Sequence, residues 1–250
     1  MTSDLYDQLT GESAPLAVPN RVLTIGAHPD DAEFGAGATL ARWAAEGAAI
    51  TMLVVTDGSK GSWQPGADPD SLAQRRVEEQ TRAAEALGVT HTLHLGYVDG
   101  ELEYTMDLRR QLAEQIRRSR PDVVLTHDPW QRYQLHPDHR ATGFAAVDAV
   151  VAAREPLMYR EMELDAHRPS AVLLWSADEP DHLEPVLPKW FERKVAALLC
   201  HSSQSSTTMG GAASGAEERL QFVDRLAAWH GANGEPFGVG PAEAFRRITP

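Results

Sequence analysis

The 250-residue sequence has one cysteine, Cys200, and only 7% aromatic residues. A lone thiol excludes an intrachain disulfide framework and is compatible with a reducing compartment. Basic residues are also scarce, with 23 Lys and Arg against 36 Asp and Glu and a formal net charge of −13. Such a chain lacks the basic face needed to grip phosphate backbones, which argues against a nucleic-acid partner. No apolar run approaches the roughly 18 residues of a bilayer span, so no membrane partner is expected. The opening MTSDLYDQLTGESAPLAVPN has neither the basic nor the apolar region of a signal peptide. Residues 1–20 are expected to form a polar, partly mobile leader before one domain over 21–250, and the cytoplasm is the expected compartment. What remains is an ordinary globular composition, 42% hydrophobic and 24% charged, in a length that suits one α/β domain.

Short apolar runs alternate with amphipathic stretches. Strands are predicted over 21–27, 49–56, 90–95, 122–126 and 171–175. Helices are predicted over 33–47, 71–87, 107–119, 138–153, 189–200 and 216–229, with Ser71 as an N-cap and Gly88 and Pro121 as stops. Residues 57–70 are rich in Gly, Pro and Asp and read as a loop, and the small polar run 202–216 reads as a flexible one. Continuous Val/Ile/Leu strands alternating with helices point to a Rossmann-like α/β fold, a mostly parallel sheet with helices on both faces.

Two segments share an unusual composition. Ala27-His28-Pro29-Asp30-Asp31 follows the first strand, and His136-Pro137-Asp138-His139 follows the fourth; each opens a helix. Taken alone, Asp30, Asp31 and Asp138 could simply cap helix N-termini, and Pro29 and Pro137 are ordinary there. The repetition of His beside Pro and Asp, on the ligand-binding end of a parallel sheet, favours a shared site. Zinc catalysis needs three protein ligands and an open position, and His28, Asp31 and His139 supply two imidazoles and a carboxylate. Asp30 then suits a general base, and His136 suits stabilising the oxyanion or protonating a leaving amine. One zinc per chain is expected, with another divalent ion such as Fe2+ as the alternative.

AHPDDAEFGAGATLARWAAEG together with HPDH resembles the PIG-L/LmbE family of metal-dependent de-N-acetylases. VVTDGSKGSW, the Arg76–Val89 stretch, Asp99-Gly100, Lys194 and His201-x-x-Gln204 resemble its other landmarks, so the likeness covers most of residues 21–205. The resemblance implies a hydrolase that removes an N-acetyl group from an N-acetylglucosamine-type conjugate. It assigns His28, Asp31 and His139 to the metal, Asp30 to the base and His136 to assisting the reacting carbonyl. Arg76 matches an arginine that contacts the aglycone, although an ion pair with Glu79 or Asp70 would also explain it. Asp57 and Lys60, in the loop after the second strand, together with Trp130 and His201, are candidate substrate contacts. Trp63 could stack on a sugar, and His127-Asp128 could support the metal or cap a turn. Ala32 stands where some members have Glu. A small-molecule substrate is expected, and a homo-oligomer is compatible with the sequence.

Other readings are an amidase acting on thiol conjugates at the same metal, a metal phosphoesterase, and a nucleotide-binding module. The phosphoesterase would want more carboxylates for two metals. Gly35-x-Gly37 only faintly matches a phosphate-binding turn, because it falls within the predicted helix and lacks the third glycine.

Overall fold

The apolar runs form strands buried on both faces, as continuous Val, Ile and Leu segments require. In a computed structural model, which describes residues 14–250, they build one seven-stranded sheet of order β3-β2-β1-β4-β5-β7-β6. Strands β1 (Arg21–Gly26), β2 (Ala49–Thr56), β3 (His91–Tyr97), β4 (Val123–His127) and β5 (Ala171–Trp175) run parallel. β1 pairs with both β2 and β4, so strand order reverses at β1 and leaves a crevice at the carboxyl ends of β1 and β4.

Helices cover both faces. Helices α1 (Asp31–Ala45), α2 (Pro69–Leu87) and α5 (Pro188–Cys200) bury Leu40, Trp43, Leu87 and Ala197 against Met52, Leu125 and Leu173 of the sheet. On the other face α3 (Met106–Ser119) and α4 (Pro137–Arg154) bury Leu108, Leu112, Ile116 and Val150 against Leu23, Ile25 and Val124. α6 (Ala216–Gly234) packs Phe222 and Leu226 against Leu198, Met209 and Ala212.

Four local expectations are revised. β6 (His182–Pro185) and β7 (Ala242–Ile248) add antiparallel strands beyond β5; neither HLEP nor AEAFRRI contains the apolar run that marks a buried strand. Residues 202–216 form a turn-rich plug rather than a flexible loop, with Met209 and Ala212 fully buried and Ser205 accepting from the Gly211 and Ala213 N–H groups. α2 begins at Pro69 and is capped by Asp68, whose carboxylate accepts from the Ser71 N–H, so Ser71 is not the cap. The expected leader lies outside the described residues as far as residue 13. Beyond that it is docked, with Leu16 and Val18 on the core and the Leu16 N–H donating to Glu184.

The glycine-rich start of α1 has a packing explanation. A Cβ on Gly35 would lie 2.6 Å from the Trp175 ring, and one on Gly37 would lie 2.9 Å from the Lys194 side chain. The glycines admit these two side chains and cradle no phosphate. The helix kinks at Ala36 (φ −146°, ψ 15°), which frees backbone groups on either side. Lys194 Nζ donates to the Phe34 carbonyl at 2.6 Å, while Glu243 accepts from the Ala38 and Thr39 N–H groups at 3.0 and 2.8 Å. Lys194 and Glu243 pair at 2.7 Å, both fully buried. Burial lowers the Lys194 pKa despite the facing Glu243 carboxylate. Burial works against a charged Glu243 as well, yet Lys194 and His230 hold it below the usual carboxylate range. Lys194→Met is therefore expected to destabilise the fold by about 3–5 kcal/mol in urea unfolding, by stranding a buried carboxylate. The double change with Glu243→Gln should recover a large part of that loss, and an unchanged midpoint in the single variant would contradict the account.

Candidate functional site

The loops after β1 and β4 meet at the sheet's crevice. His28 Nδ1 lies 3.2 Å from His139 Nε2, His139 Nε2 lies 3.4 Å from Asp31 Oδ1, and His28 Nδ1 lies 3.6 Å from Asp31 Oδ2. Metal–ligand bonds of about 2.0–2.1 Å in tetrahedral array place neighbouring donors about 3.3–3.4 Å apart, so the three fit a common ion. Overlapping sets of donors close enough to hold an ion are His28/His136/His139, Asp31/His127/His139 and His28/Asp99/Asp138.

His28 and Asp31 are braced from behind. His28 turns Nδ1 inward and keeps Nε2 on Asp99 and Asp138, at 3.1 and 3.2 Å. Asp138 is itself fixed by the Gly100 and Leu102 N–H groups. Asp31 Oδ2 accepts the His28 N–H at 2.7 Å and meets His127 Nε2 at 3.0 Å. Trp175 Nε1–H donates to His127 Nδ1 at 3.0 Å, which places the imidazole proton on Nε2, facing Asp31. The approach of the Ala27 N–H to that same Nε2, at 3.3 Å, is then no hydrogen bond. Imidazole rings stack around the centre, His127 on His139 at 4.2 Å and His136 on His139 at 4.8 Å.

Asp30 is held in a left-handed conformation, φ 99° and ψ −21°. Such a backbone strains a residue other than glycine, although Asp and Asn tolerate it best. Two residues one turn apart on α2 hold it there. Gln80 Oε1 accepts the Asp30 N–H at 3.1 Å, and Arg76 donates to the Pro29 carbonyl at 2.6 Å and to the Gly58 carbonyl at 3.1 Å. Behind them Gln80 donates to Glu33, which lies 3.5 Å from His201. Among the described residues Asp30 Oδ2 has no hydrogen-bond partner; Arg76 stands 3.6 Å away. His136 Nδ1 is likewise buried without a partner, on a ring 4.4 Å from that of His28.

The electrostatics favour a cation. Burial works against a charged His28, yet Asp138, Asp31 and Asp99 outweigh it and raise its pKa well above the usual imidazole value. Burial also raises Asp31, but His139 and His127 carry it well below the usual carboxylate range. Burial lifts Asp30 to about 6 against the opposing Arg76 charge, lowers His127 to about 4, and lowers His136, with His28 and His139 adding to that last shift. Asp30, Asp31, Asp99 and Asp138 stand among these imidazoles and form with them an oxygen-and-nitrogen donor set suited to a divalent ion.

A cavity of 450 Å³ opens onto these groups. His28, Asp30, Asp31, His136 and His139 line it, and so do Arg76 and Lys60 among the expected substrate contacts. The other candidates lie elsewhere. Asp57 braces the 57–61 loop by accepting from the Ser59 and Asp99 N–H groups. Trp130 packs edge-on against Phe144, and His201 is fully buried behind Glu33. Arg76 is buried with its guanidinium on backbone carbonyls, and Lys60 is paired with Glu101. Sequence reasoning missed Gln80, Trp175 and Trp229, named Gln204 only as a landmark without a role, and treated Asp138 only as a cap; the three missed residues carry no local signal apart from the spacing of Arg76 and Gln80 on one helix face. A second cavity of 450 Å³, beside β6 and lined by Leu183, Val186, Phe237 and Val239, lacks a comparable donor cluster.

Comparison with known proteins agrees with this geometry. The PIG-L family model, described as GlcNAc-PI de-N-acetylase, matches residues 23–150. The diacetylchitobiose deacetylase of Thermococcus kodakarensis is 37% identical over 187 residues, covering 74% of this chain and 70% of that one. A 1D-myo-inositol 2-acetamido-2-deoxy-alpha-D-glucopyranoside deacetylase of Kineococcus radiotolerans is 33% identical over 61% of this chain, which spans 53% of that relative. The solved N,N'-diacetylchitobiose deacetylase of Pyrococcus horikoshii superposes with a TM-score of 0.86 at 27% identity, covering 100% of this chain and 93% of that one.

Proposed function

Because this chain belongs to the PIG-L family of de-N-acetylases, we propose that it hydrolyses the acetamide of an N-acetylglucosamine-type sugar, releasing acetate and a primary amine. The observation that carries this reading is the pair of buried atoms without a hydrogen-bond partner among the described residues, Asp30 Oδ2 and His136 Nδ1, flanking a three-donor cluster. His28, Asp31 and His139 would hold the ion, and zinc suits their mixed nitrogen and oxygen donors. Zinc bound there would polarise the acetamide carbonyl and make a water acidic near neutral pH.

The residues supply the proton movements. Asp30 Oδ2 takes the proton of the attacking water as its oxygen bonds to the carbonyl carbon. His136 Nδ1 faces the reacting carbonyl from the other side and stabilises its developing negative charge. As the C–N bond breaks, the leaving nitrogen must gain a proton, and Asp30 can return the one it took from the water. Gln80 and Arg76 hold the Pro29–Asp30 peptide, which fixes where the base points.

The Trp175–His127–Asp31 chain would orient the carboxylate ligand. Trp175→Phe keeps a ring against Gly35 and removes the N–H that sets the His127 tautomer. It is expected to weaken zinc affinity about 10- to 100-fold, as losses behind metal ligands do, in competition with a coloured chelator. Unchanged affinity would remove His127 from the metal's support.

The direct test of function is release of acetate and amine from acetylated amino sugars by the zinc-loaded protein. Cleavage should be lost on chelation and restored by metal. No cleavage of any N-acetylhexosamine compound would overturn the reading, and faster cleavage of a thiol-conjugate amide would replace it with an amidase.

A further inference from the structure

Two fully buried titratable side chains behind Asp30, Glu33 on α1 and His201 just past α5, line no part of the cavity. Burying a carboxylate is costly, and an apolar side chain of similar size would fill the place without that cost. Glu33 Oε2 has no hydrogen-bond partner among the described residues. Its contacts run through Oε1, which accepts from Gln80 Nε2 at 2.6 Å and stands 3.5 Å from His201 Nε2. Burial works against a charged His201, yet Glu33 and Asp30 outweigh it and raise its pKa. His201 is also held in place. The residues that follow it are fastened to α2, where Glu79 accepts from the Ser203 N–H and from the Ser202 and Ser203 hydroxyls.

Glu33 decides which way the Gln80 amide faces. A primary amide offers an oxygen on one side and N–H groups on the other, so its neighbours choose the orientation. A carboxylate only accepts, and therefore draws Gln80 Nε2 toward itself. The opposite side of the amide is then Oε1, which accepts the Asp30 N–H at 3.1 Å. Turned over, the amide would set oxygen against carboxylate and N–H against N–H, and both hydrogen bonds would be lost. The N–H so held belongs to the residue at φ 99°, whose carboxylate flanks the three-donor cluster. A strained backbone of this kind persists only where its surroundings fix it.

We propose that Glu33 is a positioning residue for the reaction: by fixing the Gln80 amide it holds the Asp30 backbone in its left-handed turn and so aims the base, with His201 as its buried countercharge. The proposal rests on the reading of Asp30 as the base. Glu33→Met, Glu33→Gln and Gln80→Met would be assayed as zinc-loaded proteins on N,N'-diacetylchitobiose, each alone and combined with Asp30→Asn. Glu33→Met is expected to lower kcat about tenfold, because a small misplacement of a reacting group is expensive, while KM and zinc affinity stay within about threefold of wild type. Glu33→Gln keeps an oxygen that accepts from Gln80 and should recover most of that loss. In the Asp30→Asn background Glu33→Met should lower the residual turnover by less than about twofold, since a residue that acts through the base has nothing left to aim. A merely structural residue would lower both backgrounds alike. Gln80→Met removes the same link from α2 and repeats the test should Glu33→Met melt early. Wild-type kcat in Glu33→Met or Gln80→Met, an equal fold loss with and without the Asp30 carboxylate, or a loss confined to KM or zinc affinity would overturn the positioning role alone. Full turnover of Asp30→Asn at full zinc occupancy would overturn the base assignment and this role with it. Cleavage of no acetylated sugar by the wild-type protein would overturn the amino-sugar reading and both assignments.

Discussion

Asp30→Asn is expected to lower kcat by about two to four orders of magnitude, or roughly 3–5.5 kcal/mol of transition-state stabilisation, while zinc stays bound. The change removes the basic oxygen and little else. Asn tolerates the left-handed backbone of this position as well as Asp does, so φ 99° need not relax. The N–H that binds Gln80 belongs to the backbone and survives, as does the Arg76 bond to the Pro29 carbonyl. The variant also removes the carboxylate that faces the buried Arg76 guanidinium at 3.6 Å, so a modest fall in melting temperature is expected beside the loss of turnover. Steady-state kinetics with metal analysis of the same preparation decide the matter. Full turnover at full zinc occupancy would show that Asp30 is not the base.

His139→Ala should cost stoichiometric zinc and nearly all activity. Apparent zinc-binding energies of about 10–16 kcal/mol shared among four ligands put roughly 3 kcal/mol on each, a factor of about 100 or more in affinity. The substitution removes the nitrogen donor that stands 3.4 Å from Asp31 Oδ1 and 3.2 Å from His28 Nδ1, and among the described residues no other side chain replaces it at that point. Equilibrium dialysis of the purified variant reads the affinity directly, and amine release at saturating zinc reads the activity. Wild-type affinity in this variant would move the ion to the neighbouring set of His28, Asp99 and Asp138. Among the described residues His139 carries no carboxylate on its other face, unlike His28, so the two histidines should differ in how far a nearby substitution disturbs them.

The parallel core of the sheet was legible because strands buried on both faces must be apolar throughout. β1, β2, β4 and β5 satisfy that rule, whereas β6 and β7 pair antiparallel at an edge and carry Glu184, Glu243 and Arg246, so their sequences look like loops. The run 202–216 misled for a related reason: small polar residues usually mark mobility, but here Met209 and Ala212 anchor the segment under α6. Its order depends on partners distant in sequence, which a local reading cannot see.

The sequence by itself singled out the residues at the centre. His28, Asp30, Asp31, His136 and His139 sit on two short motifs, each in the connection between a parallel strand and the helix it opens, so the fold's topology brings them to one crevice. The tertiary structure decided everything that depends on direction. It set Arg76 against the Pro29–Asp30 peptide, withdrew His201 behind Glu33, brought Trp175 from β5 onto His127, and placed Trp229 in the cavity wall. The physical reason is that a motif specifies residue types at a fixed spacing along one segment. A hydrogen bond or a cavity wall joins segments whose relative placement is set only when their apolar faces pack.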